Sequence, residues 1–322
     1  MIRSGMKKRV RYGSINRIVN GLRRYLLSRN FDSTLIKAYT TTNGHPTVVL
    51  QDDTRLTGFW DSGLTGPLPG IASGYESLVY DALLRYRFAH GLPWLQMDFG
   101  LLPGRLAAQA THPQHVNTLH GLSYAVGKAF RNHLTINPGD TVLEAGAFLG
   151  FGTIRLSRLV GASGRVVSME LSDTVWPLLG LNCTENRLNN VNLVQKALGD
   201  ESGTATAWMQ GRQVNTLRSG LFTADSSEKK RAVEVVTLEQ LCRTQRITPR
   251  VIILTINGME LSVLRQSKAF LSELKACALM VPGWYRDETG KAAWLAIEAL
   301  LKGLGFITAV TSGGMVFAYK GC

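Results

Sequence analysis

The sequence predicts an α/β fold over about residues 115–322, an open, mostly parallel sheet covered by helices on both faces and closed by an antiparallel hairpin. An α+β region precedes it. Three observations carry this expectation. Strand and helix signals alternate from residue 141 onward, and such alternation builds parallel strands joined by crossover helices. A strand running into a glycine turn and then a helix opens the series. The last two strand signals, Ile307–Val310 and Met315–Tyr319, are joined only by Thr311-Ser312-Gly313-Gly314. That gap is too short for a crossover, so this pair must be antiparallel.

Three parts follow in order: a basic arm (1–31), an accessory or lid region (32–114) and the α/β domain (115–322). The arm holds nine Lys and Arg and no acid, which leaves 27 basic against 23 acidic residues in the rest of the chain. The net charge of +13 is therefore mostly a property of the arm. Ile15, Ile18, Val19, Leu22 and Leu26 recur at helical spacing between Arg17, Arg23 and Arg24. Such a helix suits docking on its own protein, an anionic membrane surface or nucleic acid. In the accessory region, Asn43-Gly44, Thr47–Leu50 and Leu56–Trp60 read as short strands with turns. Residues 61–74 read as a Gly/Pro-rich loop, and 75–89 as a helix.

In the α/β domain a helix over about 116–132 leads to the turn signal Asn137-Pro138-Gly139-Asp140. Strands are then expected at Thr141–Ala145, Arg165–Met169, Val191–Ala197, Val251–Leu254, Ala278–Val281 and Phe306–Val310. Helices are expected at Gly152–Leu159 and over about 173–187, 260–273 and 290–303. Apolar residues make up 45% of the chain and charged residues 18%, a globular balance that excludes global disorder. No apolar run reaches the length of a membrane span and no secretory signal is evident, so the expected location is cytoplasmic, with the arm as a peripheral membrane contact. Cys183, Cys242, Cys277 and Cys322 are scattered, which builds neither a zinc site nor a disulfide framework and suggests reduced thiols.

The segment Val142-Leu143-Glu144-Ala145-Gly146-Ala147-Phe148-Leu149-Gly150 carries the chemistry. Gly146 lets backbone approach a ligand closely, and Gly150 allows tight entry into the helix. The helix N-terminus suits a carboxylate or phosphate. The spacing is ExGxxxG, whereas a dinucleotide pyrophosphate usually takes GxGxxG. Glu144 is expected near a positive ligand group, so an amino-acid-like ligand with both carboxylate and ammonium fits best. Glu170, followed by Leu171, ends the second strand, where a carboxylate can accept both hydroxyls of a ribose; it would equally favour the dipole of the next helix. Lys196, Ala197 and Leu198 end a third strand, where an adenine edge could be bounded.

These segments resemble the FkbM methyltransferase family. The resemblance rests on Glu144-Ala145-Gly146-Ala147-Phe148-Leu149-Gly150, Glu170, Asn190-Val191, Ala197-Leu198-Gly199-Asp200 and Val233–Leu241, in that order, and covers about residues 137–320. It implies a Rossmann-like seven-stranded sheet, S-adenosyl-L-methionine (SAM) as cofactor, and methyl transfer to a hydroxyl of a sugar or other small metabolite. Where the family usually has Lys-Ile-Asp-x-Glu-Gly-x-Glu, this chain has Ile253-Leu254-Thr255-Ile256-Asn257-Gly258-Met259-Glu260, and Pro282-Gly283-Trp284 stands where an acid and a histidine are expected.

Methylating an alcohol requires positioning and loss of a proton. His112, His115 and His120 are the candidate bases, each equally readable as a surface or packing residue. Thr255 and Asn257 could hydrogen-bond a polar acceptor, and Trp284, Tyr285 and Trp94 could line its pocket. No acidic cluster suggests a metal. Competing readings are a non-catalytic SAM-fold scaffold, an RNA methyltransferase and a nicotinamide oxidoreductase. The mildly basic domain, and the lack of an Asn-Pro-Pro-aromatic motif, disfavour nucleic acid. The loop spacing and the terminal hairpin disfavour the oxidoreductase.

Overall fold

A computed structural model describes residues 36–50, 53–57, 97–98, 107–108, 133–210, 214–218, 229–310 and 314–321. The chain divides into two compact units, Met1–Gln109 and Ala110–Cys322. The basic arm, the expected helices at 75–89 and 116–132, and His112, His115, His120 and Trp94 lie outside the described residues.

In the first unit, β1 (Ile36–Thr42), β2 (His45–Leu50) and β3 (Arg55–Thr57) form an antiparallel sheet in that order. Asn43 and Gly44 join β1 to β2 at φ 50° and 79°, the left-handed geometry that an Asn-Gly hairpin turn needs. The short strands β4 (Met97–Asp98) and β5 (Ala107–Ala108) pair antiparallel.

The second unit is built on seven strands: β6 (Thr141–Ala145), β7 (Arg165–Met169), β8 (Val191–Val194), β13 (Val251–Leu254), β14 (Cys277–Pro282), β15 (Ile307–Val310) and β16 (Met315–Lys320). Their spatial order is β15-β16-β14-β13-β6-β7-β8. Neighbours from β8 to β14 are parallel, and β16 inserts antiparallel between β14 and β15. This is the expected parallel sheet with a terminal hairpin. Because β7–β8 and β13–β14 extend in opposite directions from β6, the switch point lies between β6 and β13, where α/β folds bind ligands beyond the strand ends.

Period-two alternation divides the core between the two faces. Val142, Val166, Val251, Ile253, Met280 and Phe317 pack with Leu156 and Val160 of helix α1 (Phe151–Val160). Leu143, Val167, Ile252, Leu254, Leu279 and Val281 belong to the other cluster. That cluster also holds residues of α3 (Leu238–Gln245), α4 (Glu260–Gln266), α5 (Lys268–Glu273) and α6 (Ala293–Gly303). Helix α2 (Trp176–Glu185) contributes Leu179 and Cys183 to a third cluster with Ala147.

Two expected elements divide. The strand expected at Val191–Ala197 stops at Val194. Past polar Gln195 and Lys196, Ala197–Leu198 forms β9 in a second sheet. The helix expected over 260–273 breaks at Ser267, a residue type that disfavours helix interiors, into α4 and α5. The second sheet has the order β11-β10-β12-β9 and adds β10 (Gly203–Gln210), β11 (Val214–Thr216) and β12 (Lys229–Val236), none of them expected from the sequence. Cys183, Cys242 and Cys277 are buried free thiols. Among the described residues, no helix is long and apolar enough to cross a membrane.

Candidate functional site

The β6–α1 loop lies at the carboxyl end of the central strand. Gly146 and Ala147 donate their amides to Met169 O of β7 at 3.0 and 2.8 Å, which fixes the loop against the neighbouring strand. Gly146 has φ 89°, and a Cβ there would stand 2.2 Å from Thr255 O. Gly150 has φ 80°, and a Cβ there would meet Leu179 Cδ1 at 2.5 Å. Gly146 therefore needs glycine for conformation and for space, and Gly150 for its left-handed conformation. Phe148 between them is also left-handed, at φ 50°. Gly150 is the N-cap of α1, and no side chain caps that terminus. A terminus of this kind presents amide donors and the positive end of the helix dipole.

Glu170 follows β7 and reaches back across the loop. Its Oε2 accepts the Phe148 amide at 2.9 Å and its Oε1 accepts the Ser172 amide at 2.8 Å. The residue is 7% exposed, and burial raises its carboxyl pKa despite these bonds. Leu171 beside it is half-buried. Glu144 sits lower, within β6, and accepts hydrogen bonds from Thr153 Oγ1 at 2.6 Å and Ser168 Oγ at 2.9 Å. Burial pushes its pKa up to about 7. Glu144 is thus placed as a buried support between β6, β7 and α1, whereas Glu170 is the acid in contact with the loop.

Thr255, at the end of β13, closes the other side. Its amide donates to Ala145 O at 2.8 Å, and its hydroxyl reaches Ala145 O at 3.0 Å and Gly146 O at 3.1 Å. The hydroxyl proposed from sequence as an acceptor contact is therefore engaged with the loop itself. Asn257 is half-buried at φ 49°, and its carbonyl accepts Thr216 Oγ1 at 2.6 Å. Glu260 holds this turn from beneath. It accepts the Ile256 amide at 3.0 Å and the Gly258 amide at 2.8 Å, and burial raises its pKa to about 7. Tyr285 bonds Glu260, and its hydroxyl accepts the Leu261 amide at 3.0 Å. Tyr285 is 3% exposed, a packing residue, while Trp284 is 51% exposed.

The structure thus gathers Glu144, Gly146, Ala147, Phe148, Gly150, Glu170, Leu171 and Thr255 around one loop. Ala197 and Leu198 form β9 of the second sheet, and Lys196 precedes them. The Lys196 ammonium pairs with Glu234, while Ala197 and Leu198 are buried in β9 opposite β12. Sequence reasoning did not single out Asn182, whose buried amide donates to Leu149 O at 2.8 Å and pins the loop to α2. It also passed over Thr153, Ser168, Thr216 and Arg218. Nothing in an isolated Ser, Thr or Asn marks such a partner 24 or 33 residues away.

A sequence model of the family "Protein-L-isoaspartate(D-aspartate) O-methyltransferase" matches residues 109–202, the segment that carries the loop and Glu170. No curated protein matches the chain. Similar solved structures include Aeropyrum pernix fibrillarin in complex with natively bound SAM, at 13% identity and TM-score 0.36, covering 88% of this chain and 98% of that one. A SAM-dependent methyltransferase from Aquifex aeolicus is 16% identical with TM-score 0.33, covering 65% and 92%. Precorrin-6y C5,15-methyltransferase from Geobacter metallireducens GS-15 is 12% identical with TM-score 0.35, covering 70% and 96%. The matched family is one of O-methyltransferases, and the chain's own central sheet is seven-stranded and α/β.

Proposed function

We propose that this protein is a SAM-dependent O-methyltransferase of the FkbM kind, acting on a hydroxyl of a sugar or another small metabolite. The observation that carries the reading is the contact of Glu170 with the Phe148 amide, across a loop whose conformation calls for glycine at positions 146 and 150. One acid, one tightly packed glycine turn and one uncapped helix terminus converge at the sheet's switch point. This donor and acceptor set fits a ligand that bears a carboxylate, a cation and a ribose. Gly146–Gly150 and the start of α1 would hold the amino-acid end, and Glu170 with Leu171 the ribose. When bound, SAM supplies a methyl group made electrophilic by its sulfonium.

The chain's own task is to hold an acceptor oxygen in line and to exclude water. Thr255 serves this by fixing the loop, and the Asn257–Gly258 turn forms the acceptor-side wall. His112, His115 and His120 remain the proposed bases. A second reading, a SAM-binding scaffold without turnover, is favoured by Thr255 and Asn257 standing where the resemblance expects acids, with the Thr255 hydroxyl engaged by loop carbonyls.

Calorimetric titration of the full chain with SAM and its demethylated product, beside Glu170→Ala, tests the reading. Micromolar binding to the wild type and its loss in the variant are expected. A folded wild-type protein that binds neither ligand would overturn it.

A further inference from the structure

Beside the turn after β13 stands a guanidinium that the proposed cofactor contacts do not use. Arg218 follows β11 on the second sheet. Its Nη2 donates to Arg286 O at 2.6 Å, and its guanidinium carbon lies 5.2 Å from the centroid of the Tyr285 ring. Its backbone is fixed as well. The Arg218 amide donates to Thr216 Oγ1 at 2.9 Å, and that hydroxyl donates to Asn257 O at 2.6 Å. One threonine therefore ties Arg218 to the turn after β13, while the stacking and the Arg286 carbonyl tie it to the loop after β14. Those two loops follow β13 and β14 at their carboxyl ends, the end of an α/β sheet at which ligands bind.

A guanidinium has five N–H donors in a fixed fork. Among the described residues, one of them is engaged, and no carboxylate pairs with Arg218. The acids of the same loops are occupied elsewhere. Glu260 accepts from Ile256, Gly258 and Tyr285. Asp287 accepts from Thr289 and Lys291. Glu288 pairs with Arg265 at 2.5 Å. Arg218 is half-buried over the buried Tyr285 ring, so its guanidinium is held in place while part of it stays accessible. A stacked arginine with a free edge is pre-organised for bidentate contact with a carboxylate or phosphate.

We infer that Arg218 recognises an anionic group on the methyl acceptor, a carboxylate or a phosphate, carried in addition to the oxygen that is methylated. The inference rests on the methyltransferase reading for the word acceptor, but its test does not depend on turnover. Benzoate, phenyl phosphate and neutral benzamide are titrated against the full chain by ligand-observed NMR, with and without saturating demethylated cofactor. The same is done for Arg218→Gln and Arg218→Lys, and SAM is titrated separately against all three proteins.

At least one anion is expected to bind about tenfold or more tighter than benzamide, a difference of about 1.4 kcal/mol. Which anion wins separates carboxylate from phosphate recognition. Arg218→Gln should abolish the preference. Arg218→Lys, which keeps charge and volume, should retain only part of it, and SAM affinity should be the same in all three. Equal binding of anions and benzamide, no binding of any probe, or an anion preference that survives Arg218→Gln would overturn the inference. Loss of SAM binding by the wild type, with the anion preference intact, would instead remove the methyltransferase reading and leave the anion site standing.

Discussion

Thr255 joins the two halves of the site through three hydrogen bonds to the β6–α1 loop. Thr255→Val keeps the shape and the backbone bond to Ala145 O but removes the hydroxyl donor to Gly146 O. Net loss of hydrogen bonding of this sort costs about 1–2 kcal/mol. The expected result is a lower unfolding free energy in urea and weaker SAM binding, with Thr255→Ser close to wild type on both measures. Glu144 yields a different test. Burial raises its carboxyl pKa to about 7, from an ordinary value of about 4.5. A raised acid pKa means that the folded state holds the proton more tightly than the unfolded chain does. The associated stability is present below about pH 4.5 and is lost as pH rises through about 7. Glu144→Gln keeps both partners, because the hydroxyls of Thr153 and Ser168 can donate to its carbonyl, but it does not titrate. Denaturation of wild type and variant at pH 5 and pH 8 should show the wild type losing about 1–3 kcal/mol relative to the variant on going to the higher pH. A pH-independent difference between the two would refute the assignment.

At the level of elements, the glycine loop is held from three directions: β7 through Met169 O, β13 through Thr255, and α2 through Asn182. Gly146→Ala forces a Cβ to 2.2 Å from Thr255 O at φ 89°. Strain and displacement together should cost about 2 kcal/mol or more. Calorimetry should show SAM affinity falling by more than tenfold, and an unchanged affinity would mean that the loop is not the cofactor cradle. The loop was legible in the sequence because its constraint is local: a strand, two glycines at fixed spacing and a helix start. Several parallel strands were legible for the same reason, above all Val251–Leu254, a short apolar run buried on both faces. The second sheet was not. β10 reads Gly203-Thr204-Ala205-Thr206-Ala207-Trp208-Met209-Gln210, and its inward residues Ala207 and Met209 give little hydrophobic contrast to the exposed Thr204 and Thr206. Its partner β12 opens with Lys229-Lys230-Arg231, which alone reads as a charged loop. Pairing over the register Gly203↔Val235 to Met209↔Lys229 makes the two strands, and this information is not local. Arg218 and Thr216 were missed with the sheet that carries them.

At the scale of the whole chain, the second unit, Ala110–Cys322, contains all the elements of the glycine loop and the Glu260–Tyr285 turn. Its size lies in the ordinary range for an independent domain, and its central sheet has a separate apolar cluster on each face. Every hydrogen bond that shapes the loop, from Met169, Glu170, Asn182 and Thr255, is internal to this unit. Cofactor binding should therefore not need residues 1–109. A fragment beginning at Ala110 is expected to unfold in one cooperative transition and to bind SAM within a factor of about 3 of the full chain, a difference under about 1 kcal/mol. Limited proteolysis of the full chain is a second check: SAM should leave cleavage within residues 1–109 unchanged. Protection by SAM alone, together with a large loss of affinity in the fragment, would place part of the cofactor site in the first unit and overturn the division of labour argued from the loop's hydrogen bonds.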